Sequence, residues 1–209
     1  MGKWILLSDF LRDKTRYNKL TQLFVDYNPD CKKIVFPMEK TGCKSNQIAT
    51  TETNLSWYAI KGSEQTCYLI SAQSTAFKLG LYGDKGFRNG TDIIKEYTES
   101  LYSCVDMKAK GISITESFFE KLPKHIKMLN DRYWIPERSY DSDDEMYYEI
   151  KTIWEGIIRP YMLDCSSGNQ YEGCYSLRPC IQLSCSTLIN IEDSYFNGKT
   201  PERALKIKI

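Results

Sequence analysis

The sequence predicts an α+β domain built on an antiparallel sheet with two or three helices. Helical periodicity is confined to residues 8–27, 91–103 and 114–123, whereas short β-prone runs separated by glycines and polar clusters fill the chain from Asp131 onward. An early pair of such runs, 55–61 and 66–72, flanks the glycine-containing stretch GSEQ and reads as a hairpin. Helices first and strands after, with one early hairpin, is the α+β pattern.

Taken in order, "SDFLRDKTRYNKLTQLFVDY" at 8–27 opens on Ser8 as a helix cap. Leu11, Tyr17, Leu20, Phe24 and Tyr27 follow at mostly three- and four-residue spacing, and Pro29 ends the run. The polar stretch from Glu39 to Asn54, with four threonines, predicts a loop. Residues 1–50 are therefore expected to form an N-terminal helical arm with a linker, residues 51–192 the domain, and 193–209 a tail whose alternating end "LKIKI" suits an edge strand.

"GDKGFRNG" at 83–90 holds three glycines but neither a dinucleotide fingerprint nor a phosphate loop, so it is expected to be a turn supplying positive φ values. Thr91 or Asp92 then caps a helix carrying Ile93, Ile94, Tyr97 and Leu101 on one face. Thr115 caps a second, which Pro123 limits to about two turns.

Composition narrows the function classes. Of 209 residues, 28 are Lys or Arg and 27 Asp or Glu, so the net charge of +1 provides no global field to gather nucleic acid or an anionic membrane. A single histidine, His125, argues against a histidine triad or a multi-histidine metal centre. No apolar run approaches the roughly 18 residues of a membrane span, and "MGKWILLSDF" is too short to be a signal-peptide core, which implies a chain made in the cytosol with no membrane insertion. In that compartment the eight cysteines are expected to be thiols, and there is no C-x-x-C pair. Neither a metal nor a cofactor is expected.

Two constellations have possible chemistry. Asp141, Asp143, Asp144 and Glu145 crowd "YDSDDEMYYE", but the glycine and twelfth-position glutamate of a calcium loop are missing, and a solvated acidic loop is the simpler reading. In "YEGCYSLRPCIQLSC", Cys180 and Cys185 are an odd number apart and so face opposite ways on one strand. Cys174 and Cys180 share a face but stand about 20 Å apart, too far for one metal. The cysteines read as small packing residues.

Six pieces in order carry a resemblance: "SWYAI" (56–60), "YLISA" (68–72), "GDKGFRNG" (83–90), "ESLYS" (99–103), "DRYWIPERSY" (131–140) and "YSLRPCIQL" (175–183). Together they resemble a domain family of unknown function from low-GC Gram-positive bacteria and their phages. More distantly, the pattern resembles the C-type-lectin-like fold, which includes formylglycine-generating enzymes and phage tip proteins. The resemblance implies that Trp57, Gly83, Gly86, Gly90, Trp134, Arg178 and Pro179 are structural, with Trp134 in the core and Arg178 in a salt bridge.

It further implies a surface that displays ligands, drawn from the tyrosine-rich loops at Tyr133, Trp134, Tyr140, Tyr147, Tyr148 and Tyr171. The expectation is a non-enzymatic binding or structural protein, such as a capsid, neck, tail or fibre accessory of a phage or prophage virion. Its partners would be protein subunits of an assembly, itself included, or a surface glycan. The alternative is a thiol or copper oxidase related to formylglycine-generating enzymes and using Cys180 and Cys185.

Overall fold

The computed structural model describes residues 3–13, 24–27, 29–63, 65–105, 108–139, 149–163, 172–184, 186–191 and 205–208. The first half of the chain forms β1 (Lys3–Leu6), α1 (Leu7–Arg12), β2 (Phe24–Asp26), β3 (Lys33–Phe36), α2 (Met38–Thr41), β4 (Gln47–Thr50), β5 (Trp57–Lys61), β6 (Thr66–Ser71), β7 (Lys78–Tyr82) and α3 (Gly83–Tyr102). The second half forms β8 (Lys110–Ile112), α4 (Glu116–Glu120), α5 (Lys124–Lys127), β9 (Tyr133–Ser139), β10 (Glu149–Trp154), β11 (Ile157–Met162), β12 (Glu172–Ser176), β13 (Cys180–Ser184), β14 (Leu188–Ile191) and β15 (Leu205–Lys208). Among the described residues these strands form three sheets, with orders β1-β14-β15-β2-β5-β6-β13-β8, β11-β10-β9-β12-β7 and β3-β4. Pairing is antiparallel except at β15–β2 and β12–β9, so the chain is α+β with mostly antiparallel sheets.

Strand alternation divides the interior in two. On β5, β6 and β13, Trp57, Ala59, Cys67, Leu69, Ile181 and Leu183 enter one buried cluster, and Ile60, Ile70 and Cys180 enter a second on the opposite face. The larger cluster is closed by α3, through Ile93, Ile94, Tyr97 and Leu101. The smaller is closed by α4 and α5, through Phe119 and Ile126. β9 bridges them, since Trp134 belongs to the first and Tyr133 and Ile135 to the second. Strands buried on both faces read as nearly continuous apolar runs, which is why "CYLIS" and "WYAI" lack clean alternation.

The hairpin forms with Trp57 opposite Ser71, and Thr115 caps α4, its side chain accepting the Phe118 N–H at 3.2 Å. The glycine stretch 83–90 departs from the expected turn, because it is the first half of the 20-residue helix α3. Gly83 starts the helix at φ +55°, a backbone state that disfavours side chains. Gly86 and Gly90 lie on the same face as Ile93, Tyr97 and Leu101. A methyl on Gly86 would stand 3.0 Å from Leu81 and Thr41 backbone, and one on Gly90 would stand 2.5 Å from Ile150. The glycines serve close approach of the helix to its neighbours rather than chain reversal.

The described residues among the first 50 pack into the same sheet and core as the rest of the chain. β1 and β2 are strands of the eight-stranded sheet, so Phe24–Asp26 is extended where a helix is expected; α1 covers Leu7–Arg12, with Leu7, Phe10 and Leu11 buried in the larger core, and residues 14–23 lie outside the described residues. Tyr27 donates its hydroxyl to Tyr102 O at 2.9 Å, which ties this segment to the end of α3, and the Thr51 hydroxyl, just after it, donates to Leu101 O at 3.0 Å. Lys32 Nζ donates to Ser103 O beside them. In the tail, β15 lies between β14 and β2 rather than at an edge.

The run "YSLRPCIQLS" is two strands and not one. β12 belongs to the five-stranded sheet and β13 to the eight-stranded sheet. Leu177, Arg178 and Pro179 make the crossing, because Pro179 has no N–H to give a ladder, and its carbonyl instead accepts the Ser71 N–H at 3.0 Å. Cys174 and Cys180 therefore stand in different sheets.

Candidate functional site

Of the expected display residues, Tyr133 is fully buried and Trp134 is 2% exposed. Neither side chain forms surface: the Trp134 indole N–H donates to Leu79 O at 2.9 Å, and Tyr133 packs in the smaller core. Tyr140, Tyr147, Tyr148 and Tyr171 lie outside the described residues. Trp57, Gly83, Gly86, Gly90 and Pro179 are buried.

Arg178 is 3% exposed, and it has no carboxylate partner among the described residues where a salt bridge was expected. Its Nε donates to Ser71 O at 3.0 Å, Nη1 donates to the Tyr133 hydroxyl at 3.3 Å, and the guanidinium lies 5.7 Å from the Tyr133 ring centre. A planar cation with five donors can be held this way by a carbonyl, a hydroxyl and a ring face.

Cys180 is also fully buried, and burial pushes its thiol up to about 12 against the smaller opposing pull of Arg178. Cys174 is exposed on β12, and Cys185 lies outside the described residues. Among the described residues, no group of three or more His, Cys, Asp or Glu side chains is placed to hold a metal ion. The same residues contain no helix long and apolar enough to cross a membrane.

Strand pairing assembles a group that local sequence does not reveal. β10 sets Thr152 opposite both Trp134 and Arg159, and Ile150 opposite Tyr161, while β12 brings Tyr175 in from the other side. Trp134, Tyr161 and Tyr175 meet edge to face with centroids 4.9–5.6 Å apart. The Arg132 guanidinium lies over both tyrosines, at 5.1 and 4.9 Å, and its Nε donates to the Thr152 hydroxyl at 2.8 Å. Such edge-to-face and cation–ring contacts are each worth about 0.5–1.5 kcal/mol.

The residues beside this stack, Asp131 and Ser176, line an open cleft of about 310 Å³. Glu52 closes one wall, its two oxygens accepting the Ala76 and Phe77 N–H groups at 3.1 Å each. Ser74 donates to Asp131 Oδ2 at 2.7 Å, which orients that carboxylate. Three groups in the lining remain without a hydrogen bond or ion pair among the described residues: Asp131 Oδ1, the Lys78 ammonium and the Asn54 side-chain amide. An acceptor, a cation and an amide lining one cleft suit a ligand rich in hydroxyl groups, each of which both donates and accepts. No protein-family model, no curated protein and no solved structure matches this chain.

Proposed function

We propose that the chain is a non-enzymatic binding or structural protein with a C-type-lectin-like domain, a component of a phage or prophage virion, whose recognition surface is the Asp131 cleft. The fold name and the virion setting are supported by the order of six motifs between residues 55 and 190. The ligand class is supported by the cleft, where Asp131, Lys78 and Asn54 offer uncommitted polar groups around about 310 Å³ of open space. A glycan is the partner this chemistry fits, with Arg132 and its tyrosines stiffening β12, which carries Ser176, and the turn before β9, which carries Asp131.

The oxidase alternative draws less support. One of its two thiols, Cys180, is inside the core with its thiol pushed up to about 12, and a protonated buried thiol is a poor nucleophile and metal ligand.

Titration with a panel of bacterial surface glycans, followed by amide NMR shifts, tests the reading. Expected are shifts at Gln73–Lys78 and Asp131, and at least tenfold weaker binding in Asp131→Ala. A panel with no binder at millimolar ligand, or binding indifferent to Asp131→Ala, would overturn it.

A further inference from the structure

A second cavity, sharing no lining residue with the Asp131 cleft, opens between the β5–β6 hairpin and the α4–α5 turn. Its volume is about 420 Å³, within the roughly 300–1,000 Å³ of small-molecule sites. The floor is apolar: Ile60 and Leu122 are each 6% exposed, and Tyr68 and Phe118 meet edge to face at 5.1 Å across it.

The rim carries Lys61 on one side and Lys121 on the other, and no acidic side chain lines the cavity among the described residues. Neither ammonium has an ion pair among those residues. Glu64, in the hairpin connection, lies outside them.

Both walls are held in place. In the hairpin, Gly62 N–H donates to Thr66 O at 3.1 Å, Ser63 N–H donates to Thr66 Oγ1 at 3.1 Å, and the two hydroxyls lie 2.9 Å apart. On the helical side, the Thr115 cap fixes Phe118, and Leu122 N–H donates to Phe119 O at 3.0 Å. The pocket is thus formed in advance, which lowers the ordering cost of binding.

We propose that this pocket binds an amphipathic monoanion, a carboxylate carried on an aliphatic or aryl body, with the body on Ile60, Tyr68, Phe118 and Leu122 and the carboxylate between Lys61 and Lys121. An apolar floor alone would accept any oily group of the right size. Two cations at its mouth, without an ion pair among the described residues, select a negative head and reject a positive one. A carboxylate held by two ammonium groups keeps its charge satisfied while its tail leaves water.

The experiment compares octanoate, octanol and octylammonium on the full chain by amide NMR shifts and calorimetry. Expected are octanoate shifts centred on Gly62, Phe118 and Leu122, octanol weaker by about tenfold, and no octylammonium binding. Lys61→Ala and Lys121→Ala are surface changes that leave the fold intact. Each is expected to weaken octanoate severalfold without altering octanol.

The double exchange Lys61→Glu with Lys121→Glu is expected to reverse the preference toward octylammonium. Equal affinity for octanoate and octanol, shifts located elsewhere, or no octanoate binding at millimolar concentration would each overturn the proposal. Because the glycan cleft is a different set of residues, failure here leaves that reading standing, and the converse also holds.

Discussion

Arg178 Nη1 donates to the Tyr133 hydroxyl at 3.3 Å inside the core, joining the crossing between the two large sheets to β9. Arg178→Ala strands the Tyr133 hydroxyl and Ser71 O and leaves a void, so it should cost about 3–5 kcal/mol. Arg178→Met should cost less, because it removes a buried charge while filling the space. Arg178→Lys should not rescue, since an ammonium cannot reproduce the planar grip. Urea unfolding of the three variants checks the ranking, and Met equal to or worse than Ala would refute it.

Buried phenols make the fold sensitive to alkali. Burial raises Tyr27, Tyr97 and Tyr133 above their usual value of 10, and raises Tyr102 to about 12, with the hydrogen bonds to Tyr102 acting the other way. Cys180 shifts the same way, from 9.0 to about 12. The folded pKa lies above the unfolded one in each case, so this stability is complete below pH 9–10 and is lost as pH rises through the folded values. Urea midpoints should fall steadily from pH 9 to 11, with phenolate absorbance at these tyrosines appearing only on unfolding. A flat midpoint over that range would contradict the assignment.

Gly173→Ala should cost about 1–3 kcal/mol. The added methyl would stand 2.6 Å from the Trp134 ring and 2.7 Å from the Tyr161 ring, and the Tyr161 ring also carries the Arg132 guanidinium. Thermal melts show the loss, and a changed Trp134 near-ultraviolet signal reports the displaced stack. Unchanged melting would mean that the rings give way freely.

Phe36→Ala tests whether the first 50 residues are integral to the domain. Phe36 is 1% exposed and packs on Phe77 and Tyr97, at 6.2 and 6.4 Å between centroids. Removing it should cost about 3–5 kcal/mol with one cooperative transition. An independent arm would instead leave the main transition where it was.

What could be read from the chain was local. The β5–β6 hairpin, the Thr115 cap and the apolar face of α3 from Ile93 onward each depend on neighbours within a few residues, and each is found. The start of α3 is masked in the sequence by glycine's turn propensity, although Gly83, Gly86 and Gly90 already keep helical spacing with Ile93, Tyr97 and Leu101.

Pro179 carried a usable signal as well, since a residue without an N–H is a poor choice for the middle of a paired strand. The Arg132–Tyr161–Tyr175 group carried none. It exists only once β10 and β12 have found their partners, and Arg132 and Tyr175 are 43 residues apart. Whether a tyrosine faces solvent was equally hidden, because strands covered on both sides have no polar face to give the direction away.

The place of β15 bears on how the chain is synthesised. Its backbone joins β14 on one side and β2 on the other, and among the described residues no other strand links those two. While residues 205–208 are still inside the ribosome, β2 and β5 have emerged but one border of the sheet must wait open. An unpaired border is where newly made chains stick to one another. β15 follows every other strand of this sheet in chain order, so until it is made and placed the borders of β14 and β2 stay open to pairing with another chain.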